Sequence, residues 1–362
     1  MDDLYRWLTL AAVPGMDVVR FESLCSAIPF NELFHCSVAT LVAAGLTEQQ
    51  ANRILSPPHA DIDDALRWLD VDHQSLVRYY DAAYPPLLKQ IKHPPLQLFV
   101  QGDLSLLSKT QIAMVGSRQP TATGKAIAFD FAAQLAKFGL VVTSGLARGI
   151  DAASHQGALS VNGSTIAVCG HGLKHRYPWQ HDALFQQIAE NGLLVSEYLP
   201  NVAPLARLFP IRNRIIVGLS LGTLVVEAAE KSGSLISANY AADYNREVFA
   251  IPGSIRSPQS AGCHQLIQQG AKLTCNIADI LEELGLELES IADNKAFGKN
   301  NLQQDLFEPS LLSNVGDEAT AIDVIAARAE MSVAEVTIAL LELELAGAVA
   351  AVPGGYIRVR RA

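Results

Sequence analysis

Short apolar runs alternate with helical segments throughout residues 85–285. The helical segments include "TGKAIAFDFAAQLAKFG" and "SLISANYAADYN", and the apolar runs around them have the length of strands. Runs that are apolar throughout and separated by helices are typical of a parallel sheet covered on both faces. The chain is therefore predicted to contain an α/β domain with a doubly wound sheet. Its strands are predicted in "LQLFVQG", "IAMVGS", "LVVTSG", "TIAVCG", "LLVSE", "LVVEAA" and "VFAIPG".

Segments of different character flank this domain. Residues 1–80 contain short helices with apolar residues at helical spacing, as in "ELFHCSVATLVAAG", and predict a small helical domain. A turn-rich "YPPLLKQIKHPP" separates that domain from the α/β domain. Residues 286–318 are largely polar and are predicted to form a linker. Residues 319–362 predict two helices, a "PGG" turn and a short strand, which is a winged-helix outline.

The charge of the chain changes sign along its length. The formal net charge is −10, yet residues 85–285 hold 16 basic and 13 acidic side chains between two acidic flanks. The α/β domain is therefore the natural place for an anionic ligand. Because the chain has no signal-like start and no apolar run of about 20 residues, a soluble cytoplasmic protein is expected. The five cysteines are scattered and never spaced as C-x-x-C, so no disulfide framework, metal site or cofactor is predicted.

Basic and small residues follow five of the predicted strands. In open α/β sheets ligands bind beyond the carboxyl ends of the strands, so these residues are the candidates for a site. After "IAMV", a Gly-Ser-Arg turn leads to a helix start at Thr121 and Thr123 that suits an anion. One such turn is a weak signal, but five at one edge of a sheet predict phosphate binding. The predicted phosphate-binding residues are Gly116, Ser117, Arg118, Ser144, Gly145, Arg148, Gly149, Lys174, Arg212, Arg214, Lys231, Ser232, Gly233 and Ser234.

The spread of these cations favours a polymeric ligand. A mononucleotide needs one phosphate contact and a base pocket, whereas several separated cations suit a polyanion that runs along a groove. Phe209, Tyr177 and Trp179 lie in the same loops and offer stacking faces, although packing within the loops would explain them equally well. Single-stranded nucleic acid is the predicted ligand, with Phe209, Asn213 and Tyr177 as the predicted base contacts.

Catalysis receives less support from the sequence. A nucleophile, a base and an orienting acid cannot be assembled by motif, because "VTSGLA" is not a G-x-S-x-G elbow. Glu227 ends a predicted strand, and the expected role of its carboxylate is to orient Arg212 and Arg214. Those arginines are equally consistent with a solvated helix face or with ion pairs to Glu197 or Glu227.

In their order along the chain, these motifs resemble those of the DprA (Smf) family of DNA-processing proteins. The series is "VGSR", "SGLARGID", "TIAVCGHGL" with "YP", "SEY", "FPIRNRIIVGLS", "VVEAAEKSGSLIS", "VFAIPG" and "GCHQLIQQGA", and it spans most of residues 85–285. The resemblance implies an extended Rossmann-like core, preceded by a SAM-like helical domain and followed by a winged-helix domain. By position, Arg118 would contact phosphate, and the Ser144–Gly149 turn, the "RNR" arginines and Lys231 would complete the pocket.

The same resemblance implies a function and partners. It implies a recombination mediator that binds and protects incoming single-stranded DNA and loads the RecA recombinase onto it during natural transformation. It also implies a homodimer formed through the Rossmann-like domain, and no established enzymatic chemistry.

Two other functions fit parts of the sequence. "GLSLGTLVVEA" loosely resembles the P-G-G-x-G-T-x-x-E motif of lysine-decarboxylase-like phosphoribohydrolases, which would make Glu227 the acid that cleaves a nucleoside monophosphate. Leu219 and Ser220 stand where that motif has glycines. A transcription regulator that reads DNA through its winged helix is disfavoured, because the candidate recognition helix, "SVAEVTIALLELELAG", is acidic.

Overall fold

The protein is described by a computed structural model over residues 3–286, 314–316, 320–329, 331–345, 349–352 and 354–358. The chain divides into two compact units, Met1–Ile291 and Ala292–Ala362. Most of the predicted linker over 286–318 lies outside the described residues. Within the described ranges, no helix is long and apolar enough to cross a membrane.

A nine-stranded mixed sheet forms the centre of the first unit, in the order β1-β2-β6-β5-β4-β3-β7-β8-β9. Neighbouring strands from β6 to β9 in this order are parallel, as predicted. The strand in "LQLFVQG" is antiparallel to its neighbour β6. The strands are Gln74–Arg78 (β1), Gln97–Gly102 (β2), Gln111–Val115 (β3), Val141–Ser144 (β4), Thr165–Val168 (β5), Leu193–Ser196 (β6), Gly222–Val225 (β7), Glu247–Ala250 (β8) and Lys272–Leu273 (β9).

Helices cover both faces of this sheet, because alternate residues of the central strands are buried on opposite sides. On β3, Ile112 and Met114 pack with residues of α7 and α8, whereas Ala113 and Val115 pack with residues of α10 and α11. The prediction of a doubly wound α/β core is therefore confirmed. The helices that follow β1 are Pro86–Lys89 (α6), Ala122–Lys137 (α7), Ile150–Ser160 (α8), Asp182–Asn191 (α9), Leu208–Gly218 (α10), Ser234–Asp243 (α11), Ala261–Gln268 (α12) and Ile277–Glu283 (α13).

The N-terminal part of the first unit is helical, as predicted, except at its end. Its helices begin at capping side chains where the sequence supplies them, such as Thr47, which forms a reciprocal capping box with Gln50. The predicted helical domain over 1–80 nevertheless contains β1, which pairs antiparallel with β2 and extends the sheet. "QSLVR" has only one buried residue, Val77, so its sequence pattern gives little sign of a strand. The helices are Asp3–Ala11 (α1), Val18–Ala27 (α2), Val38–Ala43 (α3), Glu48–Leu55 (α4) and His59–Leu69 (α5).

The second unit contains two helices and a hairpin, which confirms the winged-helix prediction. The helices are Ile322–Ala329 (α14) and Val333–Leu345 (α15), and the antiparallel strands are Val349–Val352 (β10) and Gly355–Arg358 (β11). Its small core is built from Ile325, Val336, Leu340 and Val349, among others.

Candidate functional site

A cavity of about 620 Å³ opens where the order of the strands reverses. The chain leaves β3 towards β4 on one side, and it later returns to pair β7 against the other side of β3. Such a reversal separates the loops at the carboxyl ends of the strands and leaves a crevice between them. The walls of the cavity come from the loops after β3, β4, β7 and β8 and from α8, α10 and α11.

Most of the predicted site residues meet at this cavity, and six do not line it. The six are Ser144, Gly145, Gly149, Lys174, Arg214 and Tyr177. The predicted residues that line the cavity are Gly116, Ser117, Arg118, Arg148, Phe209, Arg212, Asn213, Lys231, Ser232, Gly233 and Ser234.

Positive charge dominates the lining of the cavity. Arg118, Arg148 and Lys231 are exposed, and none of them forms an ion pair with another described residue. Arg212 adds a fourth cation, and Asp151 is the acidic residue of the lining. Unpaired guanidinium and ammonium groups around a concave surface favour a phosphate-bearing ligand.

Arg212 and Asp151 both form hydrogen bonds with the backbone of the loop after β4. Arg212 is only 3% exposed, and its Nη1 donates to the carbonyl oxygen of Gly145 at 2.6 Å and to that of Val168. The Asp151 carboxylate accepts from the N–H groups of Gly145, at 3.2 Å, and Ala147, at 3.3 Å. Burial raises the pKa of Asp151 and lowers the pKa of Arg212, and the attraction between the two opposes both shifts.

The glycines of this loop serve internal packing. A Cβ atom at Gly149, whose φ is +85°, would lie 2.3 Å from the carbonyl oxygen of Ser117. A Cβ atom at Gly145 would lie 2.6 Å from Nη1 of Arg212. Between them, Leu146 has a φ of +56°, and its side chain is buried. These two glycines therefore allow the chain to pack closely against itself, which explains why Gly145 and Gly149, although predicted to bind phosphate, do not line the cavity.

The start of α7 corrects another prediction, because it already holds an anion. The Glu227 carboxylate accepts from the backbone N–H of Thr121, at 2.9 Å, and from the Thr121 hydroxyl. The backbone N–H of Ser117 donates to the Glu227 carbonyl oxygen at 2.7 Å. Glu227 therefore binds the helix start that was predicted for phosphate, and it does not orient Arg212 or Arg214. The cation that this loop places at the cavity is the exposed Arg118 side chain.

Arg214 and Lys174 form ion pairs away from the cavity, so direct phosphate contact is not supported for either. Arg214 donates to both carboxylate oxygens of Glu197, at 3.2 and 2.6 Å, and both side chains are largely buried. Although burial disfavours its charge, the Glu197 carboxylate holds the pKa of Arg214 above its ordinary value. Lys174 donates to both carboxylate oxygens of Asp64, on α5, at 2.7 and 2.8 Å.

Aromatic side chains extend outward from one wall of the cavity. Phe209 lines the cavity, and its ring centroid lies 5.5 Å from that of Tyr177. The Tyr177 side chain is 45% exposed and that of Trp179 is 75% exposed. Since large exposed aromatic surfaces are available for stacking, these rings are suitable contacts for nucleobases.

The sequence-based prediction missed Ser237, which lines the cavity from α11. Its spacing could have revealed it, because Ser234 and Ser237 are three residues apart and lie on one side of a helix. Asp151 was also unassigned, although it lies within the quoted "SGLARGID" motif.

Family models match the chain in three places. The model of DNA recombination-mediator protein A matches residues 75–285, the SMF/DprA SAM domain matches residues 1–67, and the DprA winged helix domain matches residues 302–355. The first match alone covers more than half of the chain. The chain belongs to the DprA (Smf) family.

Known DprA and Smf proteins resemble the chain in sequence and in fold. Protein Smf of Escherichia coli (strain K12) is 45% identical over 369 residues, covering 100% of this chain and 97% of that protein. The X-ray structure of DNA processing protein A (DprA) from Streptococcus pneumoniae has a TM-score of 0.68 and 34% identity, covering 78% of this chain and 98% of that one. A structure that describes the single-stranded DNA binding mode of DNA processing protein A from Helicobacter pylori has a TM-score of 0.53 and 32% identity, covering 59% of this chain and 96% of that one.

Proposed function

We propose that this DprA family member binds single-stranded DNA in the cavity at the carboxyl ends of β3, β4 and β7. The observation that carries the proposal is the group of three exposed cations, Arg118, Arg148 and Lys231, which surround the cavity without ion-pair partners among the described residues. The single-stranded DNA binding mode described for the Helicobacter pylori relative supports the same ligand.

The arrangement favours single strands over duplex DNA. Phe209 lies in the lining and Tyr177 lies beside it, so bases that leave the cavity meet aromatic faces. Bases within a duplex are already stacked and hydrogen-bonded, so they cannot use such faces without being unpaired. Asn213, which also lines the cavity, is the proposed polar contact to a base edge.

Family membership supports the wider role. The protein protects incoming single-stranded DNA in the cytoplasm and loads RecA onto it during natural transformation, without an enzymatic reaction of its own. It forms a homodimer through the Rossmann-like domain. In support of such an interface, Ile255, in the loop after β8, is 91% exposed, and Leu273, on the edge strand β9, is 47% exposed.

The arrangement of Glu227 argues against a phosphoribohydrolase. An acid that cleaves a nucleoside monophosphate must reach the bound nucleotide. The Glu227 carboxylate instead accepts hydrogen bonds from Thr121, and Glu227 does not line the cavity. Incubation with nucleoside monophosphates and chromatography for free base tests this alternative, and no release of base is expected.

The proposed function is tested by fluorescence anisotropy with a labelled oligothymidylate and a labelled duplex over a salt series. The native protein is expected to bind the single strand more tightly, with an affinity that falls as salt rises. Arg118→Ala should weaken binding about 10-fold or more, because a hydrogen bond to a charged group is lost. Removing one phosphate contact should also lower the slope of log K against log salt by about 0.7.

Lys137→Ala is the matched control for Arg118→Ala. Lys137 is exposed in the last turn of α7, roughly 24 Å along the helix from its start. This variant should bind like the native protein. An equal loss of affinity in Arg118→Ala and Lys137→Ala would show that the general positive charge, rather than the cavity, determines binding. No binding by folded native protein at low salt would refute the proposal.

A further inference from the structure

Three of the helices that begin at this end of the sheet, α7, α8 and α10, have starts that are poor positions for a phosphate. A helix start has free N–H groups and favours an anion. The start of α7 already binds the Glu227 carboxylate, and α8 carries the buried Asp151 in its first turn. The start of α10 contains Pro210 in its first turn, which has no N–H group to donate.

The start of α11 is different, because no carboxylate of the described residues forms a hydrogen bond there; the neutral Ser232 hydroxyl accepts from the Ser234 N–H at 3.4 Å. The first turn of α11 contains no acidic residue, and the capping residue, Gly233, makes no side-chain hydrogen bond. Ser232, Gly233 and Ser234 all line the cavity, and Lys231 precedes them with an exposed ammonium group. An ideal Cβ atom at Gly233 would have no other atom within 4 Å, so the space in front of this helix start is open.

Two buried polar atoms at the cavity lack hydrogen-bond partners. The Ser237 hydroxyl has no hydrogen-bond partner among the described residues, although Ser237 is only 1% exposed. Serines inside helices commonly donate to the carbonyl oxygen four residues back, as Ser154 does here at 2.9 Å. The Nε atom of Arg212, which also lines the cavity, is likewise buried and unpartnered. Since buried polar groups are almost always paired in folded proteins, both atoms point to a ligand that completes the site.

We infer that a backbone phosphate of the bound single strand occupies the start of α11 and accepts a hydrogen bond from the Ser237 hydroxyl. This inference rests on the proposed function and adds the position of one phosphate and a residue that binds it. Arg212 Nε is the second buried donor, and Lys231 supplies charge from the open side. The Glu227 carboxylate at the start of α7 and the Asp151 carboxylate in the first turn of α8 make those two positions less suitable for this phosphate.

The first test adds a carboxylate to the proposed phosphate position. Gly233→Asp has room for its side chain, and the backbone of Gly233, with a φ of −63°, is one that any residue adopts, so the variant should be about as stable as the native protein. Its affinity for the oligothymidylate should nevertheless fall about 100-fold, because a carboxylate would lie against the phosphate. The isosteric but neutral Gly233→Asn should stay within about threefold of the native affinity.

A charge-matched control separates this position from the rest of the cavity. Gln119 lines the cavity beside Arg118, and Gln119→Glu introduces the same charge there. Its affinity should fall less than that of Gly233→Asp. Equal losses in these two variants, or an unchanged affinity in Gly233→Asp, would overturn the inference.

The second test removes the Ser237 hydroxyl. Ser237→Ala should weaken binding about 10-fold, as expected for a lost hydrogen bond to a charged group. The slope against salt should not change, because no charge is removed. Ser237→Thr, which keeps the hydroxyl, should restore most of the affinity. Ser220→Ala removes a buried hydroxyl that already has a partner, at a residue outside the cavity lining, and should bind normally.

The outcomes distinguish this inference from the proposed function. Native affinity in Ser237→Ala, together with weak binding by Arg118→Ala, would overturn the inference and leave the proposed function standing. Failure of the native protein to bind the oligothymidylate would refute both. A phosphomonoester presents similar oxygen atoms, so thymidine 5′-monophosphate is added as a competitor. Displacement at concentrations comparable to those of the oligothymidylate would assign the position to a mononucleotide instead.

Discussion

The loops after β3 and β4 are built differently from the loop after β7, although all three lie at one end of the same sheet. In the first two loops, the backbone of Gly149 lies close to that of Ser117. The carboxylates of Glu227 and Asp151 accept hydrogen bonds from the backbone N–H groups of Thr121 and Gly145. In the loop after β7, Gly233 has open space before it and Ser237 keeps an unpartnered hydroxyl. We call these the packed side and the open side of the cavity.

The difference shows how similar loops acquire different roles. "GSRQPTAT" and "KSGSLIS" both lead from a strand into a helix through small polar residues. A carboxylate that follows β7 binds the first helix start, whereas the second has only the neutral Ser232 hydroxyl, which accepts from the Ser234 N–H, and no carboxylate in its first turn. We therefore expect substitutions on the packed side to change stability first, and substitutions on the open side to change binding.

The largest effect is expected from Glu197→Ala, which leaves Arg214 buried without its partner. Removing one member of a buried ion pair typically lowers the free energy of unfolding by about 3 to 5 kcal/mol. Urea denaturation should show this loss, whereas Glu190→Ala, at an exposed position on α9, should change the free energy by less than about 0.5 kcal/mol. A loss below about 1 kcal/mol in Glu197→Ala would contradict the structural role of this pair.

Gly149→Ala tests the packed side directly. At a φ of +85°, and with its Cβ atom 2.3 Å from a backbone oxygen, alanine should lower the free energy of unfolding by roughly 2 to 4 kcal/mol. Gly233→Ala on the open side should change it by less than about 1 kcal/mol, because the added Cβ meets nothing. Thermal denaturation of the two variants side by side measures the contrast, and equal losses would remove the distinction between the two sides.

The core of the first unit could be predicted from sequence because its signals are local. An apolar run such as "IAMV" is buried whichever strands lie beside it, and one side of the helix after it packs on the sheet, so the alternation of such runs with helices along the chain is enough to predict the core. The direction of β2 and the existence of β1 were beyond such reasoning, because the two strands stabilise each other by pairing at the edge of the sheet.

The site could be predicted only in part, for a similar reason. The strand ends identified the loops, but the partner of each charge depends on contacts between distant residues. Lys174 pairs with Asp64, 110 positions away, and Glu227 binds Thr121, 106 positions away. Arg212 and Arg214 are neighbours in one motif, yet only Arg212 lines the cavity, because successive side chains of a helix point in different directions.

The stability of the protein should depend on pH through His155, which is buried on α8. Burial lowers the pKa of its imidazole from 6.5 to about 3, and His181 and Arg212 contribute in the same direction. Between pH 6.5 and about pH 3, the His155 imidazole binds a proton in the unfolded chain but stays neutral in the folded protein. The free energy of unfolding therefore falls as the pH falls. Lowering the pH from 6 to 4 should therefore lower the free energy of unfolding by about 2 kcal/mol through this imidazole.

Urea denaturation at several pH values, in the native protein and in His155→Gln, measures this contribution. The variant should lose less stability than the native protein as the pH falls. His35→Gln, at an exposed position, should follow the native protein. Parallel pH curves for the native protein and His155→Gln would show that this imidazole does not titrate as its burial implies.

The smallest effect is expected from Phe209→Ala, which should change binding but not its dependence on salt. Stacking of one base on an aromatic ring is worth about 1 to 3 kcal/mol, and Phe209 shares its surface with Tyr177, so the lower end of that range is expected. The anisotropy assay should therefore show a loss of about fivefold, with the slope of log K against log salt unchanged. Phe209→Trp should retain the affinity, and Tyr80→Ala, an exposed ring outside the lining, serves as the control. A reduced slope in Phe209→Ala would mean that losing the ring also displaces a cation, since only phosphate contacts release counterions.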